Sequence, residues 1–102
     1  MSSDLTSVAI IGLQPPQARR VESLFGDKLD ILCIPAATPR AKIQAATASS
    51  DYVIVMTKFT SHEAQSAVRK HDGFMYCNGA ESAIKQQLDQ LATSARQTSF
   101  PP

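Results

Sequence analysis

A cluster of polar side chains follows one apolar run of the sequence, and it holds the residue types most able to do chemistry. The run is Tyr52–Met56. The cluster after it comprises the polar residues Thr57, Lys58, Thr60, Ser61 and His62, with the aromatic Phe59 among them. If a helix begins here, its unpaired N–H groups and the lysine would attract an anion such as a phosphate group. Thr and Ser are also common N-caps of helices. The pattern therefore predicts either an anion site or an ordinary helix cap.

Two further polar positions follow the fourth predicted strand. Asn78 and Gly79 form a turn before the last predicted helix, where they could contact the same ligand. Phe59 is interpreted either as a cover for the core or as a contact for a base or a protein partner, because aromatic rings serve both purposes. Ser61 and His62 are adjacent in sequence, so nothing places them opposite each other as nucleophile and base. No catalytic residue is predicted.

Catalysts that small α/β domains carry fit this chain poorly. A receiver domain needs a carboxylate after the third strand, where this chain has Thr57. A small tyrosine phosphatase needs Cys and Arg in one phosphate loop, whereas six residues including two prolines separate Cys33 from Arg40. Gly12 stands alone, so the glycine-rich loops that bind nucleotide phosphates are absent from the sequence. We therefore expect no enzymatic activity and no cofactor.

The composition is that of one ordinary globular domain. The chain has 102 residues, of which 43% are hydrophobic and 19% charged. Its formal net charge of +1 gives no general attraction to nucleic acid or to an anionic membrane. No apolar run is long enough to span a membrane, and residues 1–7 lack the pattern of a signal peptide. A cytoplasmic location is expected, with Cys33 and Cys77 as reduced core thiols and no metal site.

A local basic surface is the basis of one alternative function. Four basic residues near the starts of the first two predicted helices would form it: Arg19, Arg20, Arg40 and Lys42. If they share one surface, they would bind the phosphates of a nucleic acid. The competing interpretation is a set of solvated helix faces.

Four apolar runs alternate with four amphipathic segments. The runs predict strands at residues 7–13, 29–34, 52–56 and 74–77, because each is mostly apolar and contains consecutive apolar residues. The segments predict helices at residues 17–25, led by Pro15 and Pro16, and at 39–48, 62–71 and 80–96. The fold class is therefore α/β, a (βα)4 chain with a four-stranded parallel sheet in the flavodoxin-like order 2-1-3-4 and helices on both faces. We expect one domain over residues 1–96 and a flexible tail over 97–102.

This strand order predicts where the buried residues, the ligand crevice and the two cysteines lie in the sheet. Strands one and three are central, so Val53, Ile54 and Val55 should be buried. The crevice between the carboxyl ends of those two strands is where open α/β sheets bind ligands, and residues 12–17 and 57–62 would line it. Cys33 and Cys77 would lie on opposite edges, too far apart for a disulfide, which needs Cα atoms within about 7 Å.

Three short motifs fall at positions that match a known family. They are Gly12 at the end of the first strand, Ser61 and His62 at the start of the third helix, and Asn78 and Gly79 before the last helix. With their flanking strands and helices, over residues 7–92, they resemble the bacterial domain-of-unknown-function family numbered two-three-two-five. The resemblance implies a small flavodoxin-like βα domain and implies no particular activity. The chain departs from the family at residues 13–16, which lack a second glycine, so no anion-binding first loop is expected.

The sequence favours a non-enzymatic protein-binding module, an accessory part of a bacterial cytosolic complex or a homodimer. The fourth predicted strand, at residues 74–77, is short and apolar, and an edge strand of this kind needs cover from a neighbour. Two alternatives stay open. One is a phosphate- or nucleotide-binding regulator that uses the loops after strands three and four. The other is a nucleic-acid accessory protein that uses the four basic residues.

Overall fold

Strands and helices alternate along the whole described chain. The computed structural model describes residues 5–58, 60, 62–79 and 81–97. The strands are β1 (Thr6–Ile11), β2 (Leu29–Ile34), β3 (Tyr52–Met56) and β4 (Phe74–Cys77), and the helices are α1 (Pro15–Phe25), α2 (Arg40–Thr47), α3 (His62–Val68) and α4 (Glu81–Gln97). The predicted (βα)4 arrangement is confirmed. The predicted flexible tail falls mostly at residues 98–102, which lie outside the described residues.

The four strands form one parallel sheet in the order β2-β1-β3-β4, as the sequence predicted. Parallel neighbours need a crossover that carries the chain back, and each helix between two strands provides one. In the register of the central pair, Ile10 of β1 lies beside Ile54 of β3. Both residues are fully buried, so the centre of the sheet is dry.

The sheet has an apolar core on each face. Ile54 belongs to the core shared with α1 and α4, whereas Val53 and Val55 belong to the core shared with α2 and α3. Successive side chains of a strand point to opposite faces, so one strand serves both cores. All three residues have no exposed surface, and the prediction of a doubly covered third strand is confirmed.

The two cysteines lie on opposite edges of the sheet. Cys33 is in β2 and Cys77 is in β4, with both central strands between them, and both thiols are free. Cys77 is buried, but Cys33 is only half-buried because β2 is an edge strand. The same edge leaves Leu32 at 44% exposure, although the sequence placed it in a buried run.

The start of α2 and the end of α3 differ from the sequence prediction. The N-cap of α2 is Pro39, with an extended ψ of 148°, so Pro39 is not the first helical residue and α2 begins at Arg40. Helix α3 ends at Val68 instead of about residue 71, because the chain tightens into a turn in which His71 N–H donates to the Val68 carbonyl. Among the described residues, no helix has the length and apolarity needed to cross a membrane.

Candidate functional site

The loops after β1 and β3 meet at Gly12. The Thr60 hydroxyl donates to the carbonyl of Ile11 at 3.2 Å, which places its oxygen directly over Gly12. Gly12 has a φ of +108°, and a Cβ at that position would collide with Thr60 Oγ1. Only glycine combines this backbone angle with such a close approach. The crevice that the sequence predicted for a ligand is thus partly filled by a side chain of the protein itself.

The ends of β3 and β4 bring two predicted site residues together. Thr57 N–H donates to the Cys77 carbonyl at 3.0 Å, which extends the strand pairing by one step. The Thr57 hydroxyl lies 2.9 Å from Asn78 Oδ1 and 3.3 Å from the Cys77 carbonyl oxygen. The hydroxyl that the sequence offered to a ligand therefore has partners within the protein.

The rest of the polar cluster is divided between exposed and undescribed positions. Lys58 and His62 are exposed. Phe59 and Ser61 lie outside the described residues, so their predicted roles stay predictions. Helix α3 has seven residues and carries Glu63 in its first turn, so the same segment holds a negative charge as well as the positive charge of Lys58. The charge of this cluster is mixed instead of uniformly positive.

The start of α4 holds a carboxylate that the sequence analysis missed. Glu81 accepts from Arg20 through both oxygens, at 2.7 Å from Nε and 2.5 Å from Nη2. Lys85, one turn further along α4, lies 3.2 Å from the same carboxylate. The hydrogen bonds from Arg20, followed by those from Lys85, lower the pKa of Glu81 to about 2. The spacing of Glu81 and Lys85, four residues apart on one helix, could be read from the sequence. The contact of Glu81 with Arg20 could not, because 61 positions separate the two residues.

The ion pair of Arg20 and Glu81 makes the loop before α4 less suitable for an anionic ligand. The N-terminal end of a helix attracts negative charge, and Glu81 of α4 already supplies that charge. Gly79 sits just before it, close enough to α4 that a Cβ would collide with the Cβ of Ala83. The carboxylate of Glu81, held by Arg20 and Lys85, therefore already occupies the end of α4 that follows Asn78 and Gly79.

The four basic residues of the nucleic-acid hypothesis do not form one surface. Arg19 and Arg20 are on α1, which packs against one face of the sheet, and Arg40 and Lys42 are on α2, which packs against the other. Arg20 is paired with Glu81, and Arg40 Nη1 donates to Ser66 Oγ at 3.2 Å. The structure thus brings neither pair together with the other.

A depression of about 330 Å³ lies between the loop after β2 and the start of α3. Arg40 and Glu63 bring opposite charges to its wall, and Thr38 adds a hydroxyl. In the part of the chain that the structure describes, no group of three or more His, Cys, Asp or Glu residues is placed to hold a metal ion.

The half-buried thiol of Cys33 is poorly suited to act as a nucleophile. Burial raises its pKa to about 12, and the neighbouring Glu22 carboxylate adds to the effect. A thiol must lose its proton to attack, and this environment opposes that loss.

His71 has a structural role at the amino ends of β3 and β4, the end of the sheet away from the candidate site. Its Nδ1 accepts from the Gly73 N–H at 2.9 Å, so its Nε2 carries the proton and donates to the Ser50 carbonyl at 2.8 Å. The ring thus joins the chain before β4 to the chain before β3.

An aromatic pair lies on the β4 edge of the sheet. Tyr76 is 45% exposed, and its ring meets that of half-buried Phe74 in a T-shaped arrangement with centroids 4.7 Å apart. Phe74 in turn packs against the core on the α2 and α3 side. Sequence analysis identified this strand as one that needs cover but did not single out either ring.

Comparison with known protein families, with curated proteins and with solved structures gives no match to this chain. The resemblance carried by Gly12, Ser61 and His62, and Asn78 and Gly79 therefore stays a prediction.

Proposed function

We propose that this chain is a protein-binding module without catalytic activity, which acts as an accessory subunit of a bacterial cytosolic complex. The observation that carries the proposal is the aromatic pair of Phe74 and Tyr76 on the open β4 edge. A tyrosine that is nearly half exposed and packed against a second ring offers a large, rigid contact area. Tyrosine is one of the residue types that dominate the energy of protein interfaces.

The backbone of β4 supports contact through side chains instead of through an added strand. Gly73 and Cys77 direct their carbonyls toward β3, so Phe74 and Tyr76 direct their backbone groups outward. Phe74 N–H donates to the His71 carbonyl, and Gln87 Nε2 donates to the Tyr76 carbonyl at 3.2 Å. These bonds occupy two of the groups that a new strand would need.

The other two functions have less support. Thr60 occupies the crevice between β1 and β3, and Glu81 occupies the N-terminal end of α4, which leaves little room or charge for a phosphate group. Helices α1 and α2 separate the basic residues onto two faces of the sheet. Titration calorimetry with inorganic phosphate and nucleotides tests the first alternative. Saturable binding that Lys58→Ala removes would replace the proposal with the regulator.

The proposal is tested by affinity capture from the native host with tagged wild-type protein and two variants. Tyr76→Ala removes the exposed ring, and Leu24→Ala is the matched control, since Leu24 is 52% exposed on α1 at the other face of the sheet. We expect a partner that wild type and Leu24→Ala retain and Tyr76→Ala loses. An interface anchor of this kind contributes about 2 kcal/mol or more, which is roughly 30-fold in Kd.

Circular dichroism and sedimentation velocity complete the test. Unchanged spectra would exclude unfolding as the reason for a loss of binding. Sedimentation of the purified chain distinguishes a second copy from a different protein as the partner. A partner that binds all three proteins equally would contradict the assignment of the β4 edge.

A further inference from the structure

The chain contains a single asparagine, Asn78, and the residue after it is glycine. Asn78 is exposed in the loop between β4 and α4. Its side-chain carbonyl oxygen lies 2.9 Å from the hydroxyl of Thr57 on the neighbouring strand end. Gly79 has no side chain to shield the peptide nitrogen that follows Asn78. We propose that Asn78 is a self-modification site, at which the protein converts the asparagine amide into an acid with Thr57 as the positioning residue.

The reaction uses only the chain and water. The Gly79 peptide nitrogen attacks Cγ of Asn78, a new C–N bond forms, and the bond from Cγ to Nδ2 breaks. Ammonia leaves with the proton that the Gly79 nitrogen gave up, and a cyclic imide remains. Water then opens the imide at either carbonyl and yields aspartate or isoaspartate. No oxidation or reduction takes place, and base accelerates the first step because it removes the proton from the attacking nitrogen.

Thr57 is placed to assist the first step. When the nitrogen attacks Cγ, negative charge develops on Oδ1. The Thr57 hydroxyl lies closer to that oxygen, at 2.9 Å, than to its other acceptor, the Cys77 carbonyl, at 3.3 Å. A fixed donor aimed at a developing oxyanion lowers the barrier of acyl transfer. The donor is rigid because the Thr57 N–H is bonded to the Cys77 carbonyl at the end of the sheet. No hydrogen bond links the Gly79 N–H to another described residue, so the attacking nitrogen is free to react.

Asp72 and Gly73 provide a comparison within the same chain. An aspartate before glycine undergoes the same ring closure, with water as the leaving group. There, however, the Gly73 N–H donates to His71 Nδ1 at 2.9 Å. The attacking nitrogen is therefore held in a hydrogen bond. The structure therefore favours modification at residue 78 over residue 72.

The product changes the charge of the protein and the loop before α4. Each conversion adds one negative charge, so the formal net charge falls from +1 to 0. Isoaspartate also inserts a methylene group into the backbone between β4 and α4.

The test follows the purified chain at mildly alkaline pH by charge-sensitive electrophoresis and peptide mapping. Wild type is compared with Thr57→Val, with the conservative variant Thr57→Ser, and with wild type unfolded in urea. We expect native wild type to acquire an acid at residue 78 faster than the unfolded chain. Thr57→Val should slow the native reaction by roughly two- to tenfold, which is the range of one neutral hydrogen bond, and Thr57→Ser should restore it. Isoaspartate should form at residue 78 and not at residue 72.

Two outcomes would overturn the proposal. One is a native chain that keeps its amide while the unfolded chain loses it, because the fold would then protect Asn78. The other is a native Thr57→Val protein that reacts as fast as wild type, because Thr57 would then have no part in the step. Circular dichroism of both variants ensures that the comparison is made on folded protein.

Discussion

Arg20 and Glu81, 61 residues apart in sequence, form a two-point ion pair that joins α1 to the start of α4. Both helices cover the same face of the sheet, and the pair lies at the carboxyl end of that face, beside the loop after β4. The pair engages the charge of Arg20 within the protein, and it places a carboxylate at the helix end that would otherwise attract an anionic ligand. One contact therefore weakens two alternative functions.

The ion pair predicts a pH dependence of stability. The pKa of Glu81 falls from an ordinary 4.5 to about 2 in the folded chain, chiefly through its hydrogen bonds with Arg20. A lowered pKa contributes stability above pH 4.5, and that contribution is lost as the pH falls from 4.5 toward 2. We expect Glu81→Gln to flatten the stability profile in this window, as measured by urea unfolding. A profile that Glu81→Gln leaves unchanged between pH 4.5 and 2 would contradict the role of the ion pair.

Ile54 predicts a large loss of stability on truncation. It lies in central strand β3 with no exposed surface, in the core shared with α1 and α4. Ile54→Ala should lower the free energy of unfolding by about 2–5 kcal/mol, because the surrounding core cannot collapse fully into the cavity. Leu24→Ala, at an exposed apolar site, should change it by about 0.5 kcal/mol or less. Equal effects in chemical denaturation would mean that the sheet is not covered on both faces.

We expect substitution of Gly12 by a residue with a side chain to strain the backbone and destabilise the protein. Gly12→Ala should lower the free energy of unfolding by about 1–3 kcal/mol, because its φ of +108° is rarely adopted by residues with a side chain. Part of the loss should come from the collision with Thr60. A double-mutant cycle with Thr60→Ala separates the two causes, and the double variant should recover only the collision part. Full recovery would show that the backbone angle itself costs nothing.

We expect the thiol of Cys33 to react slowly with alkylating reagents in the folded protein. With its pKa at about 12 instead of 9.0, it should hold roughly a thousandfold less thiolate at neutral pH than an ordinary cysteine. Alkylation by iodoacetamide should be slow in the native protein and fast in urea. Glu22→Gln should speed the native reaction, because it removes the carboxylate that adds to the effect of burial. A native rate equal to the unfolded rate would contradict the proposed environment.

Much of the fold was determined by the sequence itself. The bounds of β2, β3 and β4 were predicted correctly, because each is a mostly apolar run that ends at Pro35 or at a polar turn. The strand order followed from single right-handed crossovers between short βα units, which leave few arrangements. The burial of Val53, Ile54 and Val55 followed from the central place of their strand.

The character of the candidate site was decided by tertiary structure. No local sequence pattern indicates the hydrogen bond of Thr60 with Ile11, because the two residues are 49 positions apart. The same holds for the pairing of Arg20 with Glu81, which are 61 positions apart. Placement of α1 and α2 on opposite faces likewise separated basic residues that look alike in sequence. Periodicity reports which face of a strand or helix is buried, because burial follows the local repeat of side-chain directions. It carries no information about which polar groups from distant loops meet, because that depends on how the packed elements bring the loop ends together.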